Sequence, residues 1–327
     1  MSLPKVSIIT GYYRRAGVVR RTLEALLGQT RGDIEVVVFD DGSGDGTADA
    51  IADFAREAKD TRLRPIYHET NLGFVNGLIK WIPSLNGDYV AIQGSGDVSL
   101  PRRIELQAGA LDSRPEIVLC GCYYTNVVER SGIRRPRTPD AEGITFEQLL
   151  RGNLFSHGEV MYRRTAYEKA GGYRRAFRFN QDYDLWLRMI KVGKFTTVKE
   201  NLYDRYVSFD GVSYDPRKFP LQVRYSILAR RLAQMGEAEV QEVLHKLEKN
   251  GPMDLVANDH PEVQKRLLKG ALRSLIWGAP DEADAVSANL VQPQYKLAYH
   301  ASRLLLNGPA KPLVRPVVNR AFGISVQ

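Results

Sequence analysis

Cysteine is scarce in this chain: two among 327 residues, Cys120 and Cys122, with one residue between them. That excludes a disulfide-framed fold, and no further ligand pair at metal-binding spacing accompanies them. Within Ile117-Val118-Leu119-Cys120-Gly121-Cys122 the two thiols read as small apolar fillers on one face of a strand. No apolar run reaches the roughly 18 residues of a membrane-spanning helix. Met1 to Lys5 leads straight into a strand-like segment, with no apolar stretch ahead of a cleavage site, so no secretory signal is expected. Internal repeats and low-complexity tracts are also missing. Together these absences suit a reducing, cytoplasmic setting.

What is present is an ordinary globular composition, 43% hydrophobic and 26% charged, with a net charge of +8. The positive balance favours anionic partners such as nucleoside diphosphates, acidic glycans or anionic lipid. Nucleic acid is not expected, because no aromatic-basic RNA motif accompanies the charge.

The first 130 residues alternate strand and helix patterns. Val6 to Thr10, Ile34 to Phe39, Leu63 to Tyr67 and Tyr89 to Gln93 are short apolar runs. Between them lie helical periodicities, with Val18, Thr22, Leu23, Leu26 and Leu27 on one helix and Ala48, Ile51, Ala52 and Ala55 on the next. Such alternation predicts an α/β fold with a mostly parallel central sheet flanked by helices. Ligands of these sheets lie beyond the carboxyl ends of the strands. Thr10-Gly11-Tyr12, Asp40-Asp41 and Ser95-Gly96-Asp97 all fall there. Residues 131–143 read as an exposed, proline-bearing loop. From about 217 onward only helical patterns remain, which predicts an all-helical C-terminal appendage.

Three acidic positions invite chemistry, and each has a plainer alternative. Asp40 and Asp41 repel one another at a strand end, yet they also precede the cap formers Gly42, Ser43 and Asp45. Asp97, ahead of Pro101, suits either a cation ligand or a turn. Asp182, opening the helix through Trp186, suits either a general base or a residue favoured by the helix dipole.

Taken in order, these segments resemble the family 2 glycosyltransferases over about residues 4 to 215. Val6-Ser7-Ile8-Ile9-Thr10 with Tyr12 is similar to the family's opening strand, and Leu26 to Thr30 with Glu35 to Ser43 to its second segment. Asn71-Leu72-Gly73 with Asn76, Gly87-Asp88-Tyr89, Gly171-Gly172-Tyr173 and Gln181-Asp182-Tyr183-Asp184-Leu185-Trp186 follow at family-like separations. The resemblance implies a GT-A, Rossmann-like domain over 1–216, with a nucleotide-binding half (1–100) and an acceptor-binding half (101–216), followed by helices over 217–327. It implies an inverting transferase moving a sugar from a nucleotide donor, UDP being the commonest, to a glycan or lipid-linked acceptor. Thr10, Tyr12, Asp41, Asn71 and Ser95 would contact the nucleotide. Asp182 would be the base, and His157, Gly172 and Trp186 would line the acceptor side. Asp97 would hold a divalent metal, Mn or Mg.

One departure weakens the metal. Relatives carry Asp-x-Asp or Asp-x-Asp-Asp after the fourth strand, whereas this chain has Gln93-Gly94-Ser95-Gly96-Asp97. Gln181 also replaces the usual glutamate. The glycines raise an alternative, a binding protein of the same fold that has lost catalysis. A dinucleotide-dependent dehydrogenase is disfavoured, because Gly11-Tyr12-Tyr13-Arg14-Arg15 lacks the glycine fingerprint after the first strand. Arg130, Arg134, Arg135, Arg137, Arg163, Arg164, Arg174, Arg175 and Arg178 suit an acidic or phosphorylated acceptor, or else a solvated face. After Asp284 no acidic residue occurs, while Lys296, Arg303, Lys311, Arg315 and Arg320 alternate with leucines. That pattern fits peripheral contact with an anionic membrane face, or the packed last helices of a basic protein, the reading favoured on sequence alone.

Overall fold

The computed structural model describes residues 6–129, 132, 134–207, 215–276, 278–307, 312–313 and 316–317. The chain divides into two compact units, 1–207 and 208–327, against an expected boundary after 216.

The first unit begins with β1 (Val6–Tyr12), α1 (Val19–Leu27), β2 (Ile34–Asp40), α2 (Thr47–Ala58), β3 (Leu63–Tyr67), α3 (Phe74–Trp81) and β4 (Tyr89–Gln93). β1 pairs in parallel with β2 on one side and β4 on the other, and β2 with β3. β1 and β2 are buried along their whole length, as strands covered on both faces must be. The buried stripe of α1 (Val19, Thr22, Leu23, Leu26) and Ile51 and Phe54 of α2 share one core with Val6, Ile8, Val36 and Val38. Each such large apolar side chain contributes roughly 1.5–3 kcal/mol on burial.

Then follow β5 (Val98–Ser99), α4 (Arg103–Asp112), β6 (Ile117–Val128), β7 (Arg134–Arg137), α5 (Phe146–Leu149), β8 (Met161–Arg163), α6 (Arg164–Lys169), α7 (Gln181–Met189) and β9 (Lys194–Val207). The sheet order is β3-β2-β1-β4-β8-β6-β9-β5, with β7 on β6. β8 runs antiparallel to both β4 and β6, so the sheet is parallel in its first half and mixed in its second. β7 corrects the expected loop: Arg134 to Arg137 pair antiparallel with Val127 to Tyr124. Its proline is tolerated because β7 is an edge strand. Cys120 and Cys122 are both buried and free, as filler residues on β6 would be. Burial pushes the Cys120 thiol up to about 12.

The second unit holds α8 (Phe219–Leu232), α9 (Glu237–Asn250), α10 (Pro261–Ile276), α11 (Pro280–Ser287) and α12 (Pro293–Asn307). α10 packs against α8, α11 and α12 through a face that includes Val263, Leu267, Ala271 and Leu275. On α12, Tyr299 and Leu306 are buried, whereas Leu297 and Leu304 are 73% and 77% exposed. The favoured packing of this segment therefore holds for part of the helix only. Lys311, Arg315 and Arg320, like Arg130, lie outside the described residues. None of the described helices is long and apolar enough to cross a membrane.

Candidate functional site

The order β3-β2-β1-β4 reverses direction between β1 and β4, which opens a crevice at their carboxyl ends. Asp40 ends β2 and serves the turn after it: its carboxylate accepts from the backbone N–H of Ser43 at 3.1 Å and from that serine's hydroxyl. Asp40 therefore ties the turn and does not cap α2, whose N-cap is Gly46 without a side-chain bond. Asp41 is directed differently. Its Oδ1 accepts from the N–H of Leu72 at 2.9 Å and its Oδ2 from the N–H of Gly73 at 2.8 Å. His68 Nδ1 stands 2.8 Å from Oδ1. The indole N–H of Trp81, a donor only, reaches His68 Nε2 at 2.7 Å. Nε2 is therefore the acceptor, and Nδ1 carries the proton toward Asp41. The carboxylate is thereby locked against the loop holding Asn71, whose own side chain is exposed.

Thr10 and Tyr12 lie one strand over, at 0% and 1% exposure. The Tyr12 ring belongs to the core beneath α1, because alternate residues of β1 face the helix layer. The expected contact of this ring with the nucleotide has no exposed surface to use. Burial pushes its phenol above the ordinary range, with the Thr22 hydroxyl acting in the opposite sense.

The loop after β4 holds Ser95 and Asp97. The Ser95 carbonyl accepts from Arg15 Nη1 at 3.0 Å. Asp97 was expected to ligate metal, and its carboxylate faces inward instead. Oδ2 accepts from the Tyr203 hydroxyl at 2.6 Å and Oδ1 from the N–H of Tyr206 at 2.8 Å. Among the described residues no three His, Cys, Asp or Glu side chains are grouped to hold a metal ion. The residues present do not fit a divalent cation. Beneath the loop, the fully buried Arg103 donates to Gln93 Oε1 (3.0 Å), Ser99 Oγ (2.8 Å) and the carbonyls of Ile92 (2.9 Å) and Val160 (3.2 Å). Five guanidinium donors in a rigid fork suit this joint between β4, β5 and the entry to β8.

On the other side, Asp182 stands in the first turn of α7, where the helix dipole favours a carboxylate. Asn153 Nδ2 donates to its Oδ2 at 2.8 Å. His157 lies beside it, its Nε2 2.7 Å from the Tyr173 hydroxyl. Burial holds the His157 imidazole below its usual pKa, and Asp182 pulls the other way. Trp186 is fully buried with its ring 6.1 Å from His157, and its indole N–H has no partner among the described residues. Gly172 takes a positive φ of 64° where a Cβ would come within 3.0 Å of the Tyr167 ring. Asp184, two residues on from Asp182, pairs with Arg174 and Arg188 at 3.0 and 2.7 Å.

An aromatic row joins the two sides. His68 stacks on Phe39 at 5.4 Å, Phe39 on Phe74 at 6.2 Å, and Phe74 meets His157 edge-on at 5.8 Å. Sequence reasoning missed His68, Trp81, Phe74 and Tyr203, since no local spacing marks them. Several arginines considered for acceptor binding have internal tasks. Arg163 donates to the carbonyls of Ile117 and Leu111, Arg164 to that of Leu85, and Arg134 pairs with Asp204.

Residues 7–171 match the family model described as Glycosyl transferase family 2. The chain belongs to glycosyltransferase family 2. The "Putative glycosyltransferase EpsE" of Bacillus subtilis (strain 168) is 32% identical over 232 residues, covering 69% of this chain and 80% of that protein. The amylovoran biosynthesis glycosyltransferase AmsE of Erwinia amylovora is 30% identical over 175 residues, covering 54% and 65%. Among solved structures, S. aureus TarS 1-349 in complex with UDP aligns with a TM-score of 0.56 at 18% identity, covering 99% and 93%. The mannosyltransferase PcManGT from Pyrobaculum calidifontis, in complex with GDP-Man and Mn2+, aligns at 0.58 and 17%, covering 98% and 88%. At that identity these likenesses establish the GT-A fold, to which the curled mixed sheet and its flanking helices conform.

Proposed function

We propose that this glycosyltransferase moves a sugar, in the first instance from a UDP donor, to a hydroxyl of a glycan or lipid-linked acceptor with inversion. The donor's nucleotide would occupy the crevice at the ends of β1, β2 and β4, near Asp41, Asn71 and Ser95. The carrying observation is the Asp182 carboxylate, held by Asn153 at the amino end of α7 beside His157. Asn153 occupies its Oδ2, and Oδ1 is the natural seat for an acceptor proton. Removal of that proton by Asp182 lets the acceptor oxygen attack the anomeric carbon from the face opposite the departing diphosphate, which inverts the centre without a covalent intermediate. His157, its charge disfavoured by burial and its ring nitrogens turned to Tyr173 and Gln181, supports the wall of the same space. Thr10 and Tyr12 support the crevice from below, and Gly172 and Trp186 support the acceptor wall.

Polysaccharide assembly is the setting that EpsE-like and AmsE-like relatives suggest. The exposed Leu297, Leu304 and Leu305 of α12, in a tail without acidic residues, favour work at the anionic inner face of a membrane. Co-sedimentation with phosphatidylglycerol vesicles but not phosphatidylcholine ones tests that location.

Release of UDP from a panel of UDP-sugars, with glycan and polyprenyl-phosphate acceptors, tests the activity. Asp182→Asn is expected to slow release by about 10²–10⁴-fold with UDP affinity nearly unchanged. Release at the parent rate would remove Asp182 from the mechanism. The alternative, a nucleotide-sugar-binding protein without transfer, draws on Gly94 and Gly96. It predicts UDP binding with no release for any donor.

A further inference from the structure

We infer that this chain binds its donor's diphosphate without a divalent cation, the phosphate charge being met by the guanidinium group of Arg15. This rests on the nucleotide-donor reading above and deepens it.

The loop after β4 has no room for a side chain at position 94. A Cβ at Gly94 would lie 2.1 Å from Asp97 Oδ2 and 3.1 Å from the Tyr203 hydroxyl. The space that a side chain at this position would occupy is therefore filled by the inward-turned carboxylate. Tyr203 holds it there: the hydroxyl donates to Asp97 at 2.6 Å and accepts from the N–H of Gly94 at 3.0 Å. A second glycine permits this, since a Cβ at Gly158 would come within 2.1 Å of the same hydroxyl. Gly94, Gly158, Tyr203 and Asp97 thus form one interlocked unit, and each part accounts for the others. A cation recruiting Asp97 would have to break two hydrogen bonds and draw the carboxylate out of a nearly closed site, at 9% exposure.

Positive charge surrounds the same loop. Arg15 follows β1, at the mouth of the crevice, and grips the Ser95 carbonyl through one Nη while its backbone N–H is fixed by Thr47 Oγ1 at 3.0 Å. Arg21 is close as well, but it is engaged by Glu129 at 3.0 Å and lies over the Tyr206 ring at 3.7 Å. A guanidinium held by one edge presents its remaining donors to phosphate oxygens in the geometry that bidentate pairing needs. As the sugar departs, charge accumulates on the diphosphate, and a fixed guanidinium stabilises it in the role a metal would otherwise fill.

The test is calorimetric titration of UDP into the full chain, once in EDTA and once with Mn2+. The two dissociation constants are expected to agree within about twofold, with Arg15→Gln weakening binding about tenfold in EDTA. Circular dichroism melts report whether that variant folds. Independently of it, the paramagnetic resonance signal of free Mn2+ in a UDP mixture should fall no further when the protein is added. Binding that tightens about tenfold or more with Mn2+, or protein-dependent loss of the free-ion signal, overturns the inference and leaves the donor reading intact. Absence of binding for UDP, GDP and dTDP in both conditions overturns the donor reading and this inference with it.

Discussion

The loops after β2 and β4 rise from neighbouring regions of one sheet, and each carries a buried carboxylate, Asp41 and Asp97. Asp41 is 3% exposed and is satisfied by two main-chain N–H groups and a histidine from the segment immediately after β3. Asp97 is satisfied by a tyrosine and an N–H more than a hundred residues away, on β9. The first carboxylate is tied to its own half of the sheet, the second to the far half. A carboxylate at a strand end therefore carries no fixed meaning. Its role depends on whether neighbouring side chains leave it room to face the crevice, and at Asp97 the glycine at 94 gives that room to the inward position.

The sharpest way to break this contrast is Gly94→Asp, the substitution that writes a family-like acidic pair into the loop. Its Cβ collides with Asp97 and brings a second carboxylate beside the first, so a loss of roughly 3 kcal/mol in urea denaturation is expected, with no Mn2+-dependent gain in UDP binding. A stable variant that acquires metal dependence would mean that the loop is as plastic as the one after β2. Asp41→Ala comes next. It strands the N–H groups of Leu72 and Gly73 and the His68 proton, at a cost of about 2 kcal/mol, and it should weaken UDP binding without altering the response to Mn2+. Tyr203→Phe leaves Asp97 with one donor fewer and should cost about 1 kcal/mol, measured the same way.

A pH experiment probes the wall that Asp97 shares with β6. Burial pushes the Glu159 carboxyl up to about 8, against the pull of the Cys122 N–H and of Arg103. Because the folded-state value is raised above the usual one, the folded chain binds the extra proton. The stability this provides is fully present below about pH 4.5 and is lost as pH rises through about 8. The melting temperature of the parent should fall between pH 5 and 8 by more than that of Glu159→Gln. Equal falls would place the ionisation elsewhere.

The sequence made one half of the molecule readable and left the other obscure, for physical reasons. β1, β2 and β4 are covered on both faces, so their apolar runs stand out, and α1 and α2 repeat their buried positions every turn. β8 has three residues, too few to show a period, and β9 mixes Thr196, Lys199, Glu200 and Asp204 with bulged pairing along β6. Positions of Asp41, Asp97 and Asp182 at element ends could be read from spacing. Their directions could not. Asp97 turns on Tyr203, 106 residues later, and Tyr12, spaced as a ligand contact, is claimed by the core under α1.

The bond from Tyr203 to the β4 loop also orders events during synthesis. The parallel strands and their helices are complete once α4 has left the ribosome, yet the Asp97 carboxylate meets its Tyr203 and Tyr206 donors only when β9 is threaded alongside β6. Contacts of such long sequence separation form late, because loop closure precedes their reward. A nascent chain halted before β9 would present a folded sheet with an unset donor mouth, so competence to bind nucleotide should arrive in one step, with the final strand.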